Sequence, residues 1–146
     1  LIEHGLDINS VSECNETILF NAVYKNQLNI VKFLVENGIN VNIRNKYGDN
    51  VLLSALDNRY SHYIISKIYI KLLRYLISNS NININEQNYY GETLLYYFAQ
   101  YGNLNTVMFL INNGAALDIK TRNSKTVYDV ATEKIKYYLT TSNCIK

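Results

Sequence analysis

The stretch LNIVKFLVENGINVN at residues 28–42 returns as LNTVMFLINNGAALD at residues 104–118, and LIEHGLDIN at residues 1–9 matches its second half. In each copy the apolar residues recur every three or four positions, which is the periodicity of one buried helix face. A glycine then follows, where a left-handed residue would end that helix. Gly5 and Gly38 stand 33 residues apart. A repeat of that length indicates a stack of short helix pairs.

A second set of matching segments predicts a first helix in every repeat. They read NETILF at 15–20, GDNVLL at 48–53, GETLLY at 91–96 and SKTVYD at 124–129. Each contains a Thr or Asn suited to the helix N-terminus, because its side-chain oxygen can accept a hydrogen bond from a free backbone N–H. The expected capping residues are Thr17, Asn50, Thr93 and Thr126.

This pattern resembles the ankyrin repeat family, whose first helix opens with Gly-x-Thr-Pro-Leu-His. The resemblance implies an all-α ankyrin repeat solenoid, built of stacked helix-turn-helix units with short β-turn fingers. It divides the chain into the tail of a preceding repeat (1–12), a repeat (13–45), a repeat with an insertion between its helices around 57–71 (46–88), a further repeat (89–121), and a C-terminal capping repeat with a frayed tail (122–146).

The chain departs from the family pattern at several positions that bear on stability. Pro is absent, and the family's His position holds Phe20, Leu53 and Tyr96, so we expect apolar packing in place of a polar network. Asp129 stands where the family has an apolar residue, and the last helix is polar, as a terminal repeat requires. Since residues 1–9 hold only the end of a second helix, we expect further repeats upstream.

The repeat at 46–88 is longer than the others. Apolar residues recur every four positions from Ile64 to Leu76, which predicts a second helix lengthened by about two turns at its N-terminal end. Asn81 takes the place of Gly38, and we expect it to adopt the same left-handed conformation. We favour a lengthened helix packed on its neighbours; the alternative is an exposed apolar knob formed by Tyr60, Tyr63 and Tyr69.

Composition and charge argue against several function classes. A net charge of +2 over 146 residues is too small to argue for nucleic acid or an anionic membrane. His4 and His62 have no acid or cysteine at triad-like spacing, and Cys14 and Cys144 form no disulfide or metal-ligand pattern. We therefore expect no catalytic residues, metal or cofactor. We expect a monomer inside the cell, in the cytoplasm or nucleus, where unpatterned thiols are usual.

The resemblance implies that the finger tips and the exposed side of each first helix line a concave groove for a partner protein. Tyr and Arg are the residue types that anchor protein interfaces. The expected binding residues are Tyr24, Lys25, Arg44, Lys46, Tyr47, Tyr89, Tyr90, Tyr97, Tyr101, Lys120 and Arg122. We expect a non-catalytic protein-interaction scaffold. The alternative is a nucleic-acid-binding surface, because basic and aromatic side chains also hold single strands.

The resemblance also implies a modification site. Asn9 and Asn42 each follow a leucine, Leu1 or Leu34, by eight residues, which is similar to the setting in which ankyrin asparagines are hydroxylated. The alternative is that both asparagines are unmodified and structural.

Overall fold

The computed structural model describes Gly5, residues 7–56 and residues 67–142 of the chain. These residues are all-α, with no strand among them. In chain order the helices are α1 (Ile18–Tyr24), α2 (Leu28–Glu36), α3 (Val51–Ser54), α4 (Lys67–Asn79), α5 (Leu94–Gln100), α6 (Leu104–Asn112), α7 (Val127–Val130) and α8 (Glu133–Ser142).

The helices form two compact units, residues 1–83 and residues 84–146. In the first unit α1 packs against α2 and α3, and α2 packs against α4. In the second unit α5 packs against α6 and α7, and α6 packs against α8. Each unit is therefore two helix pairs side by side, with first helix on first helix and second helix on second. This confirms the all-α ankyrin fold class expected from the repeats.

The predicted apolar stripes supply the core of each unit. Val31 and Leu34 of α2 are buried, as are Val107 and Leu110 of α6. The three residues at the family's His position are buried as well, so apolar packing does replace the polar network there: Phe20, Leu53 and Tyr96.

The ends of the second helices follow the prediction in two repeats and contradict it in the third. Gly38 and Gly114 have φ of +79° and +92°, as a left-handed helix end requires. Asn81 does not have a positive φ, so that prediction was wrong. The physical reason lies in Ser80, whose hydroxyl and backbone N–H both donate to the carbonyl of Leu76, at 2.6 and 3.1 Å. These bonds satisfy the helix end without a left-handed residue.

The four expected capping residues all begin their helices, but they do so in different ways. The Asn50 side chain accepts from the N–H groups of Leu52 and Leu53, and the Thr93 side chain accepts from the N–H of Tyr96. The hydroxyl of Thr17 is buried without a hydrogen-bond partner among the described residues. At Thr126 the bonds run to Asp129, whose carboxylate accepts from the backbone N–H and the hydroxyl of Thr126.

The long repeat has a longer second helix, since α4 has 13 residues and α2 has 9. Tyr69 lies on α4, fully buried, and its hydroxyl donates to the carbonyl of Leu52 at 2.9 Å. The alternative of an exposed knob is therefore wrong for Tyr69, because the helix turns this side chain into the core. Tyr60 and Tyr63, with the rest of 57–66, lie outside the described residues.

Leu34 and Leu110 are expected to carry a large share of the packing energy, being 5% and 0% exposed. Changing either to Ala removes buried methyl groups and leaves a cavity, so we expect a loss of about 2–5 kcal/mol in unfolding free energy. Urea unfolding followed by circular dichroism measures this. The matched control is Met108→Ala on α6, where partial exposure should limit the loss to about 1 kcal/mol. Equal losses for Leu110 and Met108 would contradict the packing described.

Asp129 is expected to make the stability of the second unit depend on pH. Hydrogen bonds from the backbone N–H and then the hydroxyl of Thr126 hold the pKa of this carboxyl below its usual value. A lowered folded pKa stabilises the protein above the unfolded value of about 3.9, and this contribution disappears as pH falls through the folded pKa.

The test compares the thermal midpoints of the native chain and Asp129→Asn from pH 7 down to pH 2. We expect the variant to be less stable at pH 7 and the two midpoints to converge below about pH 4. A difference that stays constant over this range would show that the charge of Asp129 does not contribute.

Candidate functional site

Four five-residue turns hold five of the eleven predicted surface residues, and the turns share one hydrogen-bonding plan. In the second turn the backbone N–H of Asn45 donates to the carbonyl of Asp49 at 2.9 Å. The side-chain oxygen of Asn45 accepts from the N–H groups of Tyr47 and Asp49, both at 3.0 Å. The third turn repeats this arrangement around Asn88. We name the turns finger 1 (12–16), finger 2 (45–49), finger 3 (88–92) and finger 4 (121–125).

The fourth residue of every finger is left-handed: Asn15, Gly48, Gly91 and Ser124. Gly91 meets a second constraint, because a Cβ atom there would lie 2.9 Å from the backbone nitrogen of Arg122 and from the Cα of Thr121. At Gly48 the only neighbour is the flexible end of Arg44, at 3.5 Å. Finger 4 therefore approaches finger 3 so closely that only glycine fits at position 91.

Backbone hydrogen bonds join neighbouring fingers within each unit. The N–H of Lys46 donates to the carbonyl of Cys14 at 2.8 Å, and the N–H of Arg122 donates to the carbonyl of Tyr90 at 2.9 Å. In the second unit the Gln87 side chain adds two donations, to the carbonyl of Gly91 at 2.7 Å and to that of Lys120 at 3.0 Å. The fingers of a unit thus hold one another in register.

Asparagine side chains join consecutive repeats just before the fingers. Three of them accept a hydrogen bond from a backbone N–H of the following repeat: Asn9, Asn42 and Asn85. The Asn42 amide also donates to the carbonyl of Asn81 at 3.0 Å. Asn9 and Asn42 therefore have a structural role, and their hydroxylation stays a prediction.

In the first unit two of the predicted cations, Arg44 and Lys46, are engaged within the protein. The Nε of Arg44 donates to the carbonyl of Gly48 at 2.8 Å. The Lys46 ammonium lies 5.2 Å from the centre of the Tyr47 ring. A hydrogen bond with the Cys14 side chain, and then the contact with Tyr47, raises the pKa of Lys46. These side chains are exposed but already paired.

The first-helix residues of this unit lie at the C-terminal end of α1. Tyr24 is exposed, and its hydroxyl accepts a hydrogen bond from Ser54 at 3.0 Å. Lys25 is exposed and follows α1 directly. The structure therefore leaves both side chains accessible on the first unit.

In the second unit three predicted residues form one exposed cluster. The guanidinium of Arg122 lies 3.8 Å from the centre of the Tyr89 ring. The Tyr89 and Tyr90 rings meet edge to face, with centres 5.4 Å apart and planes at 87°. Tyr89 is 60% exposed and Tyr90 is 64% exposed, while Arg122 and Lys120 are exposed as well. We call Tyr89, Tyr90 and Arg122 the tip cluster.

Two further predicted residues of this unit lie on and beyond α5. Tyr97 is half-buried, and its hydroxyl accepts from the Asn88 side chain at 3.3 Å, so it supports finger 3. Tyr101 is exposed at the C-terminal end of α5. Tyr97 therefore has a structural contact that the sequence did not reveal, whereas Tyr101 is open to solvent.

Other site chemistry is not apparent in the part of the chain that the structure describes. No group of three or more His, Cys, Asp or Glu side chains in that part could hold a metal ion. None of the helices found there is long and apolar enough to span a bilayer.

The shared finger plan was missed by the sequence reasoning, although a signal was present. NKYGD at 45–49 and NYYGE at 88–92 have the same Asn, Tyr, Gly and acid in the same order. A side chain that accepts from the backbone two residues on is a known preference of Asn in turns. The pattern could therefore have predicted both turns.

Comparison with known proteins places the repeats in a family. Residues 1–54 match a family model described as "Ankyrin repeats (many copies)", and residues 61–142 match one described as "Ankyrin repeats (3 copies)". Alpha-latrotoxin-Lg1a of Latrodectus geometricus is 32% identical over 89% of this chain and 9% of its own length. A putative ankyrin repeat protein of Acanthamoeba polyphaga mimivirus is 32% identical over 86% of this chain and 11% of its own length. The chain thus spans about a tenth of these relatives.

Gly91→Ala is expected to cost more stability than Gly48→Ala, although both residues have a φ near +80°. A left-handed alanine costs about 1–2 kcal/mol at either position. At position 91 the methyl group also collides with the finger 4 backbone, which we expect to add about 1–3 kcal/mol. Urea unfolding of the two variants measures the difference. Equal losses would mean that the close approach of the fingers is not a constraint.

Proposed function

The chain belongs to the ankyrin repeat family, whose members generally serve as protein–protein interaction modules, and we propose that it binds a partner protein through its finger face. The observation that carries this proposal is the tip cluster. It places two large aromatic rings and a guanidinium on adjacent turns, all of them exposed. We propose no catalytic step for this surface.

The composition of the tip cluster suits an interface. A tyrosine buries a large area for the loss of only two side-chain torsions, and it keeps a hydroxyl for hydrogen bonding. Arginine offers five donors in a planar fork. Such residues carry most of the binding energy in protein interfaces.

The turns beneath the tip cluster are preorganised for binding. Asn88 closes finger 3, and finger 4 is bonded to it through the N–H of Arg122. Little backbone freedom therefore remains to be lost when a partner binds, which favours affinity. The cluster sits on a rigid frame while its side chains stay accessible.

Each unit also carries further candidates, which we propose as contacts on the surface of that unit. Those in the first unit are Tyr24, Lys25, Arg44, Lys46 and Tyr47. Those in the second are Tyr97, Tyr101 and Lys120. We propose that these residues contribute less than the tip cluster, because several of them already bond within the protein.

A nucleic-acid-binding function is the second candidate, and the stacked Arg122–Tyr89 pair is the observation in its favour. Single strands bind to such aromatic and cationic side chains. The charge of the chain favours a protein, since a net charge of +2 gives little attraction for a polyanion. The two candidates differ in their salt dependence, because the affinity for nucleic acid falls steeply as the salt concentration rises.

Tyr90→Ala and Arg122→Ala are each expected to weaken partner binding by about 1–2 kcal/mol, the scale of interface hot spots. Both variants should keep the helical circular dichroism of the native chain, because these side chains contribute nothing to the core. The partner is captured with the immobilised chain, and its dissociation constant is then measured by titration.

The matched control is Tyr137→Ala on α8, which removes a tyrosine that is 72% exposed and lies outside the fingers. It should leave the dissociation constant unchanged. Binding that is lost in the control and kept in both finger variants would place the interface elsewhere.

A further inference from the structure

We propose that the tip cluster recognises a carboxylate side chain of an extended peptide, with Arg122 binding the carboxylate and Tyr90 packing on the apolar residue beside it. This inference rests on the proposed function and specifies the chemistry of the partner. It names Asp or Glu next to an apolar residue as the feature that is recognised.

The first argument is the availability of the Arg122 donors. No described residue accepts a hydrogen bond from this guanidinium, whereas the Nε of Arg44 is engaged by the carbonyl of Gly48. Lys46 lies against Tyr47 and the Cys14 side chain. Of Arg44, Lys46 and Arg122, Arg122 is therefore the cation whose side-chain donors are open to a ligand.

The second argument is the support that Tyr89 gives to this guanidinium. Tyr89 supports the guanidinium at 3.8 Å, and the backbone N–H of Arg122 is fixed to the carbonyl of Tyr90. A ring against one face of a guanidinium leaves its N–H groups free to form the paired bonds that a carboxylate accepts. Tyr89 is thus a positioning residue that lowers the entropic cost of binding an anion.

The third argument is charge, which favours a single carboxylate over a nucleic acid as the ligand. The segments 84–92 and 118–125 contain three cations, Lys120, Arg122 and Lys125, and three carboxylates, Glu86, Glu92 and Asp118. A balanced surface attracts a polyanion weakly. A single carboxylate needs only the local donors of Arg122, because a charge-assisted bidentate pair forms at short range.

The fourth argument is the position of Tyr90. This ring meets Tyr89 edge to face and is 64% exposed, so a large apolar surface adjoins the guanidinium. A ligand that contacts both the Arg122 guanidinium and the Tyr90 ring carries an acidic side chain next to an apolar one. Covering the ring with an apolar residue also excludes water from the ion pair, which strengthens it.

The test begins with a library of random unmodified peptides displayed on phage and selected on the immobilised chain. We expect the recovered sequences to be enriched in Asp or Glu beside an aliphatic or aromatic residue. One selected peptide is then synthesised with its acid intact and with the acid replaced by the matching amide. Both forms are titrated against the native chain and its variants.

Arg122→Ala should weaken binding of the acidic peptide about 10- to 100-fold, and the amide peptide should lose the same factor on the native chain. On Arg122→Ala the two peptides should bind alike, which isolates the pair. Arg122→Lys should weaken binding about three- to tenfold, because it keeps the charge and loses the planar fork. The charge control Lys134→Ala on α8 should have no effect.

Tyr89 is tested by the contrast between two substitutions. Tyr89→Ala should weaken binding about three- to tenfold, since the support for the guanidinium is lost. Tyr89→Phe should stay within about twofold of the native chain, because the ring face remains. Equal losses in both variants would contradict the positioning role.

The outcomes separate this inference from the proposed function. Enriched peptides that lack an acid, or that bind Arg122→Ala as well as the native chain, would overturn the inference and leave protein binding standing. Failure to enrich any peptide would overturn the inference, whereas the proposed function fails only if no captured protein partner is weakened by Tyr90→Ala or Arg122→Ala. Salt-sensitive binding of a labelled oligothymidine, lost in Arg122→Ala, would instead assign the cluster to nucleic acid.

Discussion

The repeats and their fingers hold together only if the backbone outside the helices is hydrogen bonded. Buried or closely packed N–H and C=O groups must find partners, and the fingers contain no sheet that could supply them. Asparagine meets this need, because its side chain has an acceptor and two donors. Asn45 and Asn88 close turns, while Asn42 joins one repeat to the next. These asparagines are thus structural residues of the turns.

The two units present different surfaces although their fingers close in the same way. Both units build fingers of one design, yet the side chains outside the turn are free to vary. In the first unit Arg44 donates to the carbonyl of Gly48 in the finger that follows it. In the second, Gly91 permits finger 4 to approach finger 3, and Arg122 comes to rest on Tyr89. The missing side chain at position 91 therefore permits the close contact of the two fingers that carry Tyr89 and Arg122.

The helices, the core and the turn glycines could be predicted from sequence because each depends on local periodicity. Leu34 and Leu110 fall on apolar stripes, and Gly38 follows one of them. The conformation of Asn81 could not be predicted, because it depends on hydrogen bonds that Ser80 makes with α4. The candidate site, too, could be predicted only in part. Residue type and finger position could be read from the sequence. The pairing of the cations could not, because it depends on contacts that form only in the folded turns: Arg44, Lys46 and Arg122.

The asparagine bonds between repeats also bear on aggregation. The segment NININ at 81–85 alternates amide and isoleucine residues, and the whole chain contains no proline. Such composition favours cross-β stacking when the backbone is open. In the folded chain Ile82 is buried, and both the N–H of Asn83 and the carbonyl of Asn81 are bonded to the Asn42 side chain. Because the Asn42 side chain occupies these backbone groups, they are not available for strand pairing with another chain until the protein unfolds.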